Sequence, residues 1–225
     1  MGAPGAVLRL GNNAEERPMP DPDYAGWEAD PAAILAFMDD NIIATGLLPN
    51  AQNNSIPEYL ALTKTATRVT KDGRDAGWVY YLKASTETSS ATAMKSYICD
   101  YAKNSTNYAL LSDKAKFCFT ITMNGCTFGI GMPNSSGDVI VSHSNRASDS
   151  NQAESQRDIT LGGHRNGQVT MLEPSMYRPV AKMTCTTFGL RIGGRWKFYF
   201  QSYRPNGGSF EYFGALPITT QGMTG

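Results

Sequence analysis

The chain has 225 residues, room for one large domain, and its 41% apolar and 18% charged content is that of a folded protein rather than a disordered one. Lys plus Arg equals Asp plus Glu at 20 each, so no overall field directs the chain to nucleic acid or to an anionic membrane surface. No apolar run approaches the roughly 20 residues of a bilayer span, and the opening MGAPGAVLRLGNN has neither the basic start and apolar core of a signal peptide nor a myristoylation motif.

Residues 1–30 read as an extended arm, rich in Pro and acids, with Trp27 as its anchor into the body. Asp30 suits an N-cap, Pro31 a first helical position and Gly46 a stop. With Ile34, Leu35, Met38 and Ile42 at helical spacing, these predict a helix over 31–45. After a polar loop at 50–55, Pro57 to Leu62 suggests a helical turn. A hairpin then follows, with strands at 65–70 and 77–84 about Asp72-Gly73. Ala93, Met94, Tyr97, Ile98 and Tyr101 fit one face of a helix over 89–103.

From residue 116 the period changes to two. Phe117, Phe119, Ile121 and Met123 alternate with Cys118, Thr120 and Thr122, and Phe128, Ile130 and Met132 continue the pattern. Pro133 to Gly137 reads as a turn and Asp138 to His143 as a strand. Residues 144–166 are polar and read as a long exposed loop with one helical turn near 151–157. The last third is hairpins: 182–192 against 195–203 about Gly193-Gly194, then Asn206-Gly207-Gly208 turning toward Phe210, Tyr212 and Phe213. The expected fold is a single α/β domain over 1–225, a β-sandwich of mixed or antiparallel sheets flanked by a few helices and long loops.

The four cysteines, Cys99, Cys118, Cys126 and Cys185, have neither a zinc-ligand spacing nor the density of a disulfide scaffold, so no metal or other cofactor is expected. Cys99, Cys118 and Cys185 read as small buried hydrophobes. Cys126 differs: it follows Gly125 at the end of one strand pattern, and His143, one of only two histidines, closes the next. A thiol becomes a nucleophile when an imidazole takes its proton, and backbone N–H groups at a turn such as Asn124-Gly125 can hold the developing oxyanion. His164, in a glycine-rich turn, is the alternative base. Asp138 and Asp149 are candidates to orient an imidazole. Arg146, Arg157 and Arg165 on the polar loop are candidate partner contacts, and exposed members of Tyr199, Tyr203 and Tyr212 could add binding surface.

The segment FTITMNGCTF resembles the active-site stretch of bacterial toxin glutamine deamidases of the cytotoxic necrotizing factor and Burkholderia lethal factor 1 type, and more distantly the chemotaxis receptor deamidase. Their pattern is an apolar residue, Ser, Gly and the nucleophilic Cys, with the base His on the next strand. Met123, Gly125, Cys126 and His143 match, while Asn124 stands where the family has Ser. Phe119 and Thr120 correspond to an aromatic–Thr pair in the lethal factor, whose Thr acts with the Cys and His, so Thr120 would inherit the third role. The Cys-to-His spacing is longer than in the lethal factor, Met132 to Gly137 being the added turn. The likeness is specific over about 25 residues.

The resemblance implies a papain-like deamidase fold and hydrolysis of a glutamine amide in a host protein through a thioester. It further implies a secreted bacterial effector acting in the host cytoplasm without a classical signal peptide, and a GTPase or translation factor as target. His164 and Arg146 are candidate substrate contacts, and a monomer without nucleic-acid or membrane partners is expected. The alternatives are a papain-like cysteine peptidase or acyltransferase, and a non-enzymatic β-sandwich binding module.

Overall fold

A computed structural model describes residues 21–48, 54–164 and 168–219. Two β-sheets dominate it. The larger has eight strands in the order β1 (Ile42–Ala44), β3 (Arg74–Ala84), β2 (Glu58–Lys71), β12 (Ser209–Pro217), β11 (Arg195–Asn206), β10 (Thr184–Ile192), β6 (Phe117–Thr120), β4 (Met94–Cys99). β2 also pairs with β4 through Glu58–Leu60, so this sheet bends back on itself. The smaller sheet has the order β5 (Thr106–Leu111), β8 (Val139–Ser144), β7 (Thr127–Gly131), β9 (Val169–Leu172). Among the described residues the helices are short: α1 (Tyr24–Ala29), a 3-10 turn at Pro31–Ala33, α2 (Ile34–Met38), α3 (Gln152–Gly163) and α4 (Pro174–Tyr177).

Alternation along the strands builds two cores at once. Met94 and Ile98 of β4, Phe117 and Phe119 of β6, and Phe188 and Leu190 of β10 lie on one face of the large sheet, in a cluster with Leu60 of β2 and with Trp27, Ile34 and Phe37 of the helical segment. The intervening Tyr97, Cys99, Cys118 and Cys185 face the other way. They meet Ala109, Leu111, Phe128, Val139, Val141 and Leu172 of the small sheet. The two sheets are therefore packed together through one apolar layer, with α3 on the far side of the small sheet. The described end of the expected extended arm is helical instead: Trp27 lies within α1, buried, with its ring edge-on to Tyr24 and Phe37.

Three expected elements take another form. The helix over 31–45 stops at Met38, and Ile42–Ala44 become β1, parallel to β3. Asn41 makes the switch: its Nδ2 donates to the Phe37 carbonyl, closing the helix, while its Oδ1 accepts from the Trp78 N–H. Ile42 and Ile43 are both fully buried, one on each face, which suits β-branched residues in a covered strand. The helical turn at 57–62 is the start of β2, held on both sides by β3 and β4. The helix over 89–103 is replaced by β4. Met94 and Ile98 do share a face, but a spacing of four is even, so a strand satisfies it as well as a helix does.

The stretch 144–166 is not an open loop. Asp149–Asn151 lead into α3, twelve residues long, whose buried face is polar: Gln156 and Thr160 are fully buried. The hairpins at 58–84, 127–144 and 184–217 form as their turn residues and alternation predict, while the strand pattern from 117 yields β6 in the larger sheet, between β10 and β4. Residues 1–20 of the expected arm, most of the polar loop at 50–55, and Arg165 lie outside the described residues.

Candidate thiol–imidazole site

Cys126 and His143 lie on one face of one hairpin. β7 and β8 are antiparallel, with Thr127 opposite Ser144 and Phe128 opposite His143. The next pair outward is Cys126 and Asn145, and Asn145 Nδ2 does lie 3.3 Å from Cys126 Sγ. Residues 126, 128, 143 and 145 thus point the same way, toward the large sheet, where Cys126 and Phe128 enter the inter-sheet core. Cys126 and His143 are diagonal neighbours, a relation with Cβ atoms under roughly 7–8 Å apart and within reach of long side chains.

The loop before the thiol is held rigidly. Gly125 has φ +101°, a conformation that L side chains rarely adopt, and its N–H donates to Tyr177 Oη at 2.9 Å. The same Tyr177 hydroxyl donates to the Cys126 carbonyl at 2.8 Å. The Gly125 carbonyl accepts from Gln152 Nε2 at 3.0 Å and from Gln156 Nε2 at 3.1 Å. α3 and α4 thereby clamp the Asn124–Cys126 turn from two directions. The Gly125 amide, expected to face a developing oxyanion, is engaged by Tyr177 in this structure. The Asn124 backbone instead hydrogen-bonds the Cys126 sulfur.

The thiol is 4% exposed and the imidazole 0%. Burial pushes the Cys126 thiol up, against the opposing pull of its hydrogen bonds from Asn145 and the Asn124 backbone. Burial lowers His143 to about 4, countered by the Cys99 carbonyl, which lies 3.4 Å from Nδ1. Both groups are therefore neutral at pH 7. His143 Nε2 is buried and has no hydrogen-bond partner among the described residues. Tyr101, 40% exposed, lays its ring 5.7 Å from the imidazole and connects it to the surface.

Thr120 makes no hydrogen bond to His143. It is fully buried, and its hydroxyl accepts from the Thr187 N–H at 3.1 Å, a bond that ties β6 to β10. The contact on the imidazole is the carbonyl of Cys99, the residue paired with Thr120 in the parallel β4–β6 ladder. His164, expected in an exposed turn, is 6% exposed at the end of α3 on the opposite face of β8, with Nε2 3.0 Å from Ser142 Oγ. Gly129 and Gly131 make its space: a Cβ on Gly131 would lie 2.7 Å from His164 Nδ1. Arg146 Nη1 donates to the Asn104 carbonyl at 2.8 Å, and its Nε is buried with no hydrogen-bond partner among the described residues. Arg157 forms a two-pronged pair with Glu173 at 2.6 and 2.8 Å. Tyr203 and Tyr212 are buried and offer no surface; Tyr199 is half-buried against the Phe188 ring. Asp138 bonds Asn134 in its own turn.

Residues that sequence reasoning passed over are Asn145, Tyr177, Gln152 and Gln156. Asn145 had a signal: two residues after His143 on a period-two strand, it shares the histidine's face. The other three act across distant elements and leave no local pattern.

A cleft of about 870 Å³ opens at the other end of β7, lined by Met132, Pro133, Val139, Trp196, Lys197 and Ile218 among others, and it includes neither Cys126 nor His143. Among the described residues no helix is long and apolar enough to cross a membrane. Compared with known proteins, the chain matches no family model and no curated protein.

Proposed function

We propose that the chain is a cysteine hydrolase of the papain-like deamidase type that converts a glutamine side-chain amide of a host protein to glutamate, Cys126 being the nucleophile and His143 the base. The observation that carries this reading is the unpartnered, buried Nε2 of His143 on the face it shares with Cys126. A buried polar atom without a partner costs about 1–3 kcal/mol. His143 Nε2 is one of five such side-chain atoms among the described residues, and it is the one that shares a face of the β7–β8 hairpin with Cys126; exchange of a proton with Sγ, once the two groups close on each other, gives it a use. The likeness of FTITMNGC to the toxin deamidases points the same way.

In this reading the resting pair is neutral thiol and neutral imidazole, as their burial dictates. Nε2 takes the thiol proton as Sγ attacks the carboxamide carbon. The tetrahedral intermediate collapses, the C–N bond breaks, and the imidazolium returns the proton to the departing nitrogen, releasing ammonia. Water, deprotonated by the same nitrogen, then attacks the thioester and frees the carboxylate and the thiol. The Cys99 carbonyl at Nδ1 keeps the proton on that nitrogen and leaves Nε2 as the base.

The test is ammonia release from glutamine-bearing proteins of a eukaryotic cytosolic extract, with mass spectrometry locating the Gln-to-Glu change. Wild type should produce both, and Cys126→Ser neither. Cleavage of backbone peptide bonds instead would indicate the peptidase. A second reading, a binding module without catalysis, is favoured by one observation: the large cleft lies away from the sulfur. Ligand binding there with no modification by wild type would select it.

A further inference from the structure

We infer that Asn145 is a further catalytic residue of this site, its side-chain N–H holding the Cys126 sulfur as a thiolate for attack on the amide. The inference rests on the thiol-hydrolase reading of Cys126 and adds a residue to it.

The orientation of the amide is decided by its surroundings. Asn145 Oδ1 accepts from the Ala147 N–H at 3.2 Å and the Asn104 N–H at 3.5 Å. An amino group cannot satisfy two N–H donors, so the oxygen must face them, and the NH2 then faces Sγ at 3.3 Å. The backbone is fixed too, with the Asn145 N–H donating to the Ser105 carbonyl at 2.9 Å. The donor is therefore aimed before any charge forms and needs no reorganisation when it does. Bonds of this kind strengthen when the acceptor becomes an anion.

The remaining polar groups around the sulfur do less. Tyr177 on α4 spends its hydroxyl on the Gly125 N–H and the Cys126 carbonyl. Cys185 on β10 is itself fully buried and tied to Thr187. The Arg178 guanidinium lies near Gly125 rather than at the sulfur. His143 on β8 receives the proton. That leaves Asn145 and the Asn124 backbone as the donors to Sγ.

A purely structural Asn145 would need only its oxygen. An aspartate keeps that oxygen and both bonds to Ala147 and Asn104, while putting an anion in place of the donor. The experiment is therefore the rate of Cys126 alkylation by iodoacetamide against pH, read by peptide mass spectrometry on the full chain, for wild type, Asn145→Asp and Asn145→Ala. Asn145→Asp should shift the midpoint upward and slow labelling at neutral pH by about tenfold or more, with Asn145→Ala moving less in the same direction. Ammonia release should fall in the same order. An Asn145→Asp profile that superimposes on wild type overturns the inference, as does a wild-type Cys126 that labels no faster than the buried Cys118 and Cys185 at every pH at which the protein stays folded. Failure of the hydrolase reading is separate: ammonia release that survives Cys126→Ser leaves the alkylation comparison standing.

Discussion

The two histidines sit on opposite faces of the same four-stranded sheet and are treated in opposite ways. His164, on the outer face, is packed on several sides: Ser142 Oγ meets its Nε2, Tyr108 lies edge-on at 5.9 Å, and two glycines clear its space. His143, one residue on from Ser142 and so on the inner face, is left unfinished, with Nδ1 on a carbonyl and Nε2 on nothing among the described residues. Its buried Nε2 has no hydrogen bond among the described residues, to the Cys126 sulfur included, and lies on the face that His143 shares with that cysteine.

The largest test of that contrast is chemical. His143→Ala and Cys126→Ser should each lower amide hydrolysis by about three powers of ten or more, the loss typical when one member of a catalytic unit is removed, while His164→Asn should leave the turnover of folded protein within a few-fold. Equal losses from both histidine substitutions would break the distinction.

Next in size is acid stability. His143 is held neutral, at about 4 in the folded state against about 6.5 in the unfolded chain. Above pH 6.5 neither state binds the proton and the stability is fully present. As pH falls from 6.5 to 4, the unfolded chain takes up a proton that the folded protein refuses. About 3 kcal/mol is lost over that window by linkage. His164 is lowered as well, by burial, and adds to the loss with the same sign. Urea unfolding between pH 7 and 4 should show the decline, and His143→Gln should flatten most of it.

A smaller effect probes the outer face by sterics. A Cβ on Gly129 would lie 2.5 Å from Ser142 Oγ and from Thr160 Cγ2. Gly129→Ala should therefore cost about 1–3 kcal/mol as an overpacked position, read as a lower Tm. His164→Ala made together with Gly131→Ala should recover part of the cost of Gly131→Ala alone, because the contact at 2.7 Å is removed. Smallest of all, Arg157→Ala removes a solvent-exposed pair with Glu173 and should leave Tm within measurement error.

Legibility in the sequence followed the same division between local and distant causes. The β7–β8 hairpin announced itself through alternation and the Pro133–Gly137 turn, and with it came the shared face of Cys126 and His143. The β10–β11–β12 meander was legible for the same reason. β4 was not, because a strand covered on both faces has no polar side and its spacings of four imitate a helix. α3 was hidden because it docks by hydrogen bonds, Gln156 to Gly125 and Thr160 to Ser144, and so has no apolar stripe. The clamp on the Gly125 amide comes from Tyr177, 52 residues along the chain, and the contact on His143 is a main-chain carbonyl, which has no signature in any sequence.

The central claim, a sulfur that becomes covalently acylated by a glutamine side chain, is most directly tested by intercepting the acyl group. Wild type and Cys126→Ser are incubated with cytosolic extract and a labelled primary amine, and the tagged glutamines are mapped. The account predicts amine attached at the same glutamines that wild type deamidates, and none with Cys126→Ser. Deamidation by wild type that persists in the serine variant, or tagging indifferent to the sulfur, would contradict it.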